Sequence, residues 1–231
     1  MKKNCLYPNG HTCFAEKQTH GKGMQGKTWI TTKNNICFSM AWSYENHLSN
    51  IHMLNFLVAI KLVNALKNNG YLNIKIKWPN DLIFNGLKLA GILIESVYKK
   101  NSKIYLVIGV GINIEVDIED KKKIDQKVSD LISVNPEKLV NKNKLAAYLA
   151  GAVAESLFEF AEYECKKLSE EWNKLDNYYN VTRIVSINNR LIKVKLLGIN
   201  ETGKLCCFHD KKINLYNINE VKIIKDEFLC N

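Results

Sequence analysis

Arginine is almost absent from this 231-residue chain: Arg183 and Arg190 are the only two. Lysine therefore carries the positive charge, and the net charge is +10. A basic balance points to nucleic acid or to an acidic protein partner. The accompanying wealth of asparagine is what an AT-rich genome produces, so the charge alone decides little, and lysine can stand where arginine is usual. Paired cysteine motifs are missing too. The seven cysteines are scattered and odd in number, with no C-x-x-C. That excludes a zinc site built from closely spaced ligands and fits reduced thiols in a cytoplasmic protein. Cys207 and His209 lie close together, but no second pair accompanies them. No uninterrupted apolar run is long enough to cross a membrane. The most apolar segment, residues 51–66, is broken by His52, Asn55, Lys61 and Asn64, and reads as a core helix. Lys2 and Lys3 are followed by no apolar stretch of the kind a secretory signal needs.

What is present is 46% apolar residues in a length that suits one large domain and one small one. Residues 12–17 suggest a short strand, 35–42 a buried strand, and 53–66 a helix that stops at Gly70. Residues 71–77 alternate Leu72, Ile74 and Ile76 against Asn73, Lys75 and Lys77, which predicts a half-buried strand. Asn85-Gly86 between apolar runs predicts a hairpin, and residues 104–110 another buried strand. Residues 117–143, charged and weakly periodic, read as surface helix and loop, and residues 145–175 as one long helical stretch. Beyond Asn180 come five short strands with turns at Asn188-Asn189, residues 200–203 and His209-Asp210, the spacing of a small antiparallel barrel. The change in pattern places a boundary near residue 178, giving domains 1–178 and 179–231.

Two segments carry the chemistry. Gly21, Gly23 and Gly26 lie within six residues, with Lys22 and Lys27 among them. Such a loop lets backbone N–H groups approach an anion. It lacks the Gly-Lys-Ser/Thr ending of a P-loop, and alone it is equally a flexible turn. The second segment is Lys77-Trp78-Pro79-Asn80-Asp81 and the hairpin behind it. A two-residue turn at Asn85-Gly86 pairs Ile83 with Lys88 and Asp81 with Ala90. It sets Asp81 and Lys88 on one face as diagonal neighbours about 7–8 Å apart. At that separation the two do not form a tight ion pair, and they leave room for an anion or a metal. A surface pair is the plainer alternative, but Lys88 sits in a strand otherwise rich in Leu, Ile and Ala.

KWPND (77–81) followed by KLAGILIE (88–95) resembles the signature of biotin–protein ligases. GKGMQGKTW (21–29) is similar to their biotinyl-adenylate loop, usually G-R-G-R-x-G-x-x-W, and IGVGIN (108–113) to their third motif. The order and spacing agree from about Phe14 to Ile224, and lipoate ligases and octanoyltransferases lack KWPND. The resemblance implies an α+β fold: a mixed β-sheet catalytic domain with helices on one face, followed by a small SH3-like β-barrel. It implies ATP and biotin as substrates with Mg²⁺, and a biotin carboxyl carrier protein or domain as acceptor. Some relatives are DNA-binding repressors through a helix-turn-helix domain, which is not read in this sequence, so no sequence-specific DNA binding is expected, and no membrane; a cytoplasmic location is expected, with a homodimer as one option. By resemblance, Gln18, Gly21, Lys22, Gly23 and Met24 contact biotin. Lys88 binds its carboxylate, and Gly91, Ile92 and Gly109 offer backbone groups. Gly26, Lys27, Trp29, Lys77, Asn80 and Asn113 take the nucleotide, with Trp29, Asn80 and Asn113 framing the adenine. Asp81, with Mg²⁺, orients phosphate and then the acceptor lysine. Lys88, Asp81 and Lys22 are the implied catalytic set.

Two departures qualify the resemblance. Met24 stands where a second arginine is usual and can neither donate to phosphate nor neutralise it. Relatives also carry a serine-threonine-asparagine motif and a helix ahead of the glycine loop. The twenty residues before Gly21 contain no such motif, so either a start codon further upstream or a biotin pocket open on that side is expected, with weak biotin affinity for the chain as it stands. The alternatives are a degenerate homologue or basic binding module that keeps the fold, and a lipoate or octanoyl ligase.

Overall fold

The computed structural model describes residues 9–32, 34–45, 48–100 and 103–224. The chain divides into two compact units, residues 1–162 and 163–231.

The first unit is built on six strands: β1 (Thr12–Ala15), β2 (Asn34–Tyr44), β3 (Lys75–Lys77), β4 (Asp81–Phe84), β5 (Leu87–Lys100) and β6 (Lys103–Glu115). Their order is β1-β2-β6-β5-β4-β3, and the pairings between them are antiparallel. A single parallel bridge, Lys88 to Val128, joins a further segment to this sheet. Alternation along β6 divides its two faces. Ile104, Leu106, Ile108, Val110, Ile112 and Ile114 are all buried, and cross-strand partners share their face. Helix α1 (Leu54–Asn68) packs on β3, β4 and β5 and on α4 (Lys142–Glu159), which in turn packs on β2. Nine of the fifteen residues of α1 are buried, so it is apolar around most of its circumference. Gly70, at φ +80°, follows its C-terminus.

Three expectations change here. Residues 71–77 do not form one strand. Asn73 adopts φ +61°, the extended run breaks, Tyr71 enters the core and Leu72 is left exposed. Residues 145–175 are two helices, α4 and α5 (Cys165–Leu175), separated by a 3-10 turn at Phe160–Glu162. Residues 117–143 are not wholly surface. After the short helix α2 (Ile118–Lys123), the chain turns inward at Val128, Ser129 and Asp130, all buried, before α3 (Leu131–Val134).

The second unit contains α5 and strands β7 (Thr182–Ile187), β8 (Arg190–Ile199), β9 (Leu205–His209), β10 (Lys212–Tyr216) and β11 (Val221–Ile223), in the order β10-β9-β8-β7-β11. This antiparallel sheet contains the five short strands that the spacing predicted. Positive φ at Asn188 and Asn189, and at Asp210 and Lys211, marks two tight hairpins; the second turn sits one residue later than expected. Helix α5 lies on this side of the division because it packs on β8. Asn173 donates to Ile199 O at 3.0 Å and accepts from Ile199 N at 2.8 Å.

Candidate active site

One row of the ladder crosses all six strands of the first unit on the face opposite the isoleucines. It reads Lys77, Asp81, Gly91, Gly111, Cys37, Ala15. Glycine at its two central positions leaves a shallow floor, and Trp29 lies on it. A Cβ on Gly111 would come within 2.5 Å of the indole ring, and one on Gly91 within 3.0 Å. No other residue type fits at Gly111 without moving the tryptophan.

Trp29 arrives there through the glycine loop. Gly23 N donates to Lys27 O at 2.7 Å and Trp29 N to Gly21 O at 2.9 Å, while Lys22 bridges Thr28, so the loop is a compact hairpin. Gln25 and Gly26 turn it with positive φ. A Cβ on Gly21 would fall 2.3 Å from Trp29 O, which fixes glycine at that position. Lys22 and Lys27 are exposed, Met24 is half-buried, and the Gln18 side-chain oxygen lies beside Gly21.

The KWPND hairpin supplies the charges. Asn85 and Gly86 both have positive φ, as a two-residue hairpin turn requires. Ile83 pairs with Lys88 as expected, but a bulge at Leu82/Ile83 shifts Asp81 opposite Gly91 rather than Ala90. The expected gap between Asp81 and Lys88 is closed. Lys88 Nζ lies 2.7 Å from Asp81 Oδ1, an ion pair whose angles are not those of an aligned hydrogen bond. The cause is reach. The four-carbon stem of lysine spans a diagonal separation, and Gly91 leaves the space: its Cβ would meet Lys88 Cε and Nζ at 3.3 Å. The same ammonium stands 5.5 Å from the centroid of the Trp29 ring. Both partners are about four-fifths buried, at 18% and 19% exposure, so the pair is shielded but reachable.

Backbone and amide partners arrange the other expected residues. Asn80 Nδ2 donates to Ile92 O at 2.7 Å, and Ile92 N donates to Asn80 O at 3.1 Å. This closes the KWPND turn onto β5, and the Ile92 side chain faces the helices. Asn113, 2% exposed, donates from Nδ2 to Ser129 O at 3.0 Å. Both amide nitrogens of the expected adenine frame therefore hold backbone in place, while Trp29 covers the glycine floor. Lys77 shares the row of Asp81 at the sheet's edge. Gly109 lies one row away, between Leu93 and Ser39, where an added Cβ would find ordinary contact at 3.6 Å.

Sequence reasoning passed over two features. Cys37 is buried in the central row; burial pushes its thiol up, and Trp29 and Thr31 beside it act the other way. An isolated cysteine in an apolar strand gives no signal of this. The other is the inward segment 127–130, whose charged flanks mask it.

Residues 3–113 match the model of the biotin/lipoate A/B protein ligase family. The chain is 29% identical over 216 residues to the bifunctional ligase/repressor BirA of Escherichia coli, covering 93% of this chain and 67% of that protein. It is 26% identical over 163 residues to the biotin–[acetyl-CoA-carboxylase] ligase of Paracoccus denitrificans, covering 69% and 68%. The biotin protein ligase of Aquifex aeolicus, solved in complex with biotin and ATP, superposes with a TM-score of 0.79 at 22% identity, covering 97% of this chain and 93% of that one. The glycine floor and the Lys88–Asp81 pair thus sit in a segment, residues 3–113, that carries a biotin/lipoate A/B protein ligase family domain.

Proposed function

We propose that this protein is an ATP-dependent biotin–protein ligase that forms biotinyl-5'-AMP and transfers biotin to a lysine of a biotin carboxyl carrier domain. The observation that carries the reading is Lys88, a shielded ammonium above a floor of glycines, balanced by one carboxylate and backed by an indole.

Activation brings the biotin carboxylate to the α-phosphorus of ATP. Both reactants are anions, so the protein's task is neutralisation and positioning. Lys88 is the cation best placed to exchange its partner Asp81 for the biotin carboxylate and then the developing adenylate. Lys22, Lys27 and Lys77 add charge at the margins, and the amides of Gly21, Lys22 and Met24 would face an anion, that of Gly23 being held by Lys27 O at 2.7 Å. Biotin is neutral apart from its carboxylate, so its rings need an apolar slot with few polar contacts; Gln18 and the backbone of Gly91, Ile92 and Gly109 would border that slot. Trp29 offers an aromatic surface to adenine, with Gly26, Asn80 and Asn113 around it. Mg²⁺, bound with ATP, supplies further positive charge to the phosphates. Asp81 is the carboxylate that would hold that ion. Once released from Lys88, Asp81 can accept a proton or hydrogen bond from the acceptor lysine, which must attack as a free amine. No covalent enzyme intermediate is required, so Cys37 need not act as a nucleophile.

Incubation with biotin, Mg²⁺-ATP and a biotin carboxyl carrier domain, followed by intact-mass measurement, tests the reading. A carrier mass increased by one biotin supports it. An unmodified carrier together with no pyrophosphate release overturns it. Met24 in the loop favours one rival, a homologue that binds but barely turns over; calorimetry with biotin and a non-hydrolysable ATP analogue separates the two. A lipoate ligase would show lipoate outcompeting biotin.

A further inference from the structure

The sheet forks beside Lys88. Strands β5 and β6 pair as far as Ala90 and Ile112, and beyond that point they part. The segment around Val128 enters the fork and runs parallel to Lys88. Lys88 N donates to Lys127 O at 3.3 Å, and Ser129 N donates to Lys88 O at 2.8 Å. Asn113, at the base of the fork, donates to Ser129 O at 3.0 Å and reaches Lys88 O at 3.5 Å. The main chain of Lys88 is thus gripped from the side away from β4 by a strap that lies some forty residues further along the chain.

Asp130 ties that strap down. It is 5% exposed, and both its oxygens accept from backbone: Oδ2 from Val116 N at 3.1 Å, just past β6, and Oδ1 from Ser133 N at 2.8 Å, capping α3. A buried carboxylate whose two oxygens hold two separate pieces of chain fixes their relative position. The hydrogen bonds of Asp130 go to Val116 and Ser133 rather than to Lys88. Its influence must pass through Ser129 to the backbone from which Lys88 projects.

We propose that Asp130 is a positioning residue for Lys88: through the strap it sets the place of the ammonium over Gly91 and Trp29, and so the rate of carboxylate activation. This rests on the function proposed above. A displacement of about 1 Å in a reacting group can cost on the order of 100-fold in rate, so a loosened strap has a measurable effect.

The test is a double-mutant cycle on the full-length protein. Biotin- and Mg²⁺-ATP-dependent pyrophosphate release is measured for wild type, Asp130→Ala, Lys88→Ala and the double variant, with backbone amide exchange followed at Lys88 and Ser129. Asp130→Ala is expected to lower kcat about 10–100-fold, with a smaller change in the KM for ATP, and to speed exchange at Ser129. In the Lys88→Ala background the same substitution is expected to lower the residual rate no further, because the group it positions is gone. Asp130→Asn keeps one acceptor oxygen and should lose less; if Asp130→Ala does not fold, Asp130→Asn enters the cycle instead. Equal losses with and without Lys88, or an unchanged kcat alongside faster Ser129 exchange, overturn the proposal and leave the function standing. Wild-type pyrophosphate release by Lys88→Ala alone overturns the functional reading itself, and this proposal with it.

Discussion

The two faces of the six-stranded sheet are made by the same strands and serve opposite ends. The face under α1 and α4 is a continuous apolar surface, with Ile108, Val110 and Ile112 of β6 set beside Met40, Phe38 and Ile36 of β2. The other face carries glycine, lysine, aspartate, asparagine and a thiol across the intervening rungs. Adjacent residues on β6 therefore answer to different selection: Ile112 for packing, Gly111 for the room that Trp29 occupies. A period of two lets one strand supply stability and chemistry independently. If so, substitutions one residue apart should separate into losses of rate and losses of stability.

The largest separation is expected at Lys88. Lys88→Ala should lower adenylate formation by about 10²–10³, equivalent to about 3–4 kcal/mol of transition-state stabilisation, with the fold retained. Stopped-flow pyrophosphate release beside a circular dichroism melt checks both halves. On the opposite face, Ile112→Ala should cost about 2–5 kcal/mol in denaturant unfolding while the rate per folded molecule stays near wild type. A comparable loss of kcat at Ile112 would break the division between the faces.

The second unit presents the same contrast in one residue. Asp176 ends α5, is 8% exposed, and has Tyr178 N as its hydrogen-bond donor at 2.9 Å. Burial raises its carboxyl to about 6, against the smaller opposing effect of that N–H. Asp81 has a lysine beside it, whereas Asp176 meets the backbone N–H of Tyr178. The raised value means that the folded state holds a proton the unfolded chain has released. Stability linked to Asp176 is therefore full below the ordinary carboxyl range near 3.8 and is lost as the pH rises through about 6. Asp176→Asn keeps an acceptor for Tyr178 and removes that loss, so at pH 7 it should stabilise by up to about 3 kcal/mol. Urea unfolding of both proteins between pH 4 and 8 should show curves that diverge as the pH rises. A difference that does not vary with pH would remove burial as the cause.

The smallest effect expected is at Met24, on the loop above the floor. A positive side chain there should help retain the adenylate. Met24→Arg should accordingly reduce stray biotinylation of bystander lysines, by a factor of about 2–5 if the added contact is exposed and worth about 0.5–1 kcal/mol. Equal bystander labelling by the two proteins would show that the loop's backbone retains the adenylate without help.

Much of this was legible in the residues themselves. Asn85-Gly86 announces its turn because only such residues take positive φ at low cost, and the same reasoning finds Asn188-Asn189. KWPND and the glycine loop are legible because their spacing is local. The misjudged stretches share a physical cause. Residues 71–77 alternate like a strand, yet Asn73 takes the left-handed region and ends the extended run. Asp81 and Lys88 were placed on the correct face, but a bulge and the empty space over Gly91 brought them into contact, and neither is written in the alternation. By resemblance Asn80 and Asn113 frame the adenine, and the motifs say nothing of their own partners. In space they satisfy backbone carbonyls that would otherwise be buried alone.

By itself, then, the sequence determined the alternating faces, the tight turns, the two-unit order and the residue types available for binding two anions. Each follows from interactions within a few positions of one another: side-chain direction, φ preference and hydrophobic period. Only the tertiary structure decided the row that joins Lys77 to Ala15 across six strands, the seating of Trp29 on Gly111, and the strap from residues 127–130 that grips Lys88. Those depend on which strands become neighbours and on where a backbone N–H, once buried, finds its acceptor. Both are settled by packing between segments tens of residues apart, and no local pattern records them.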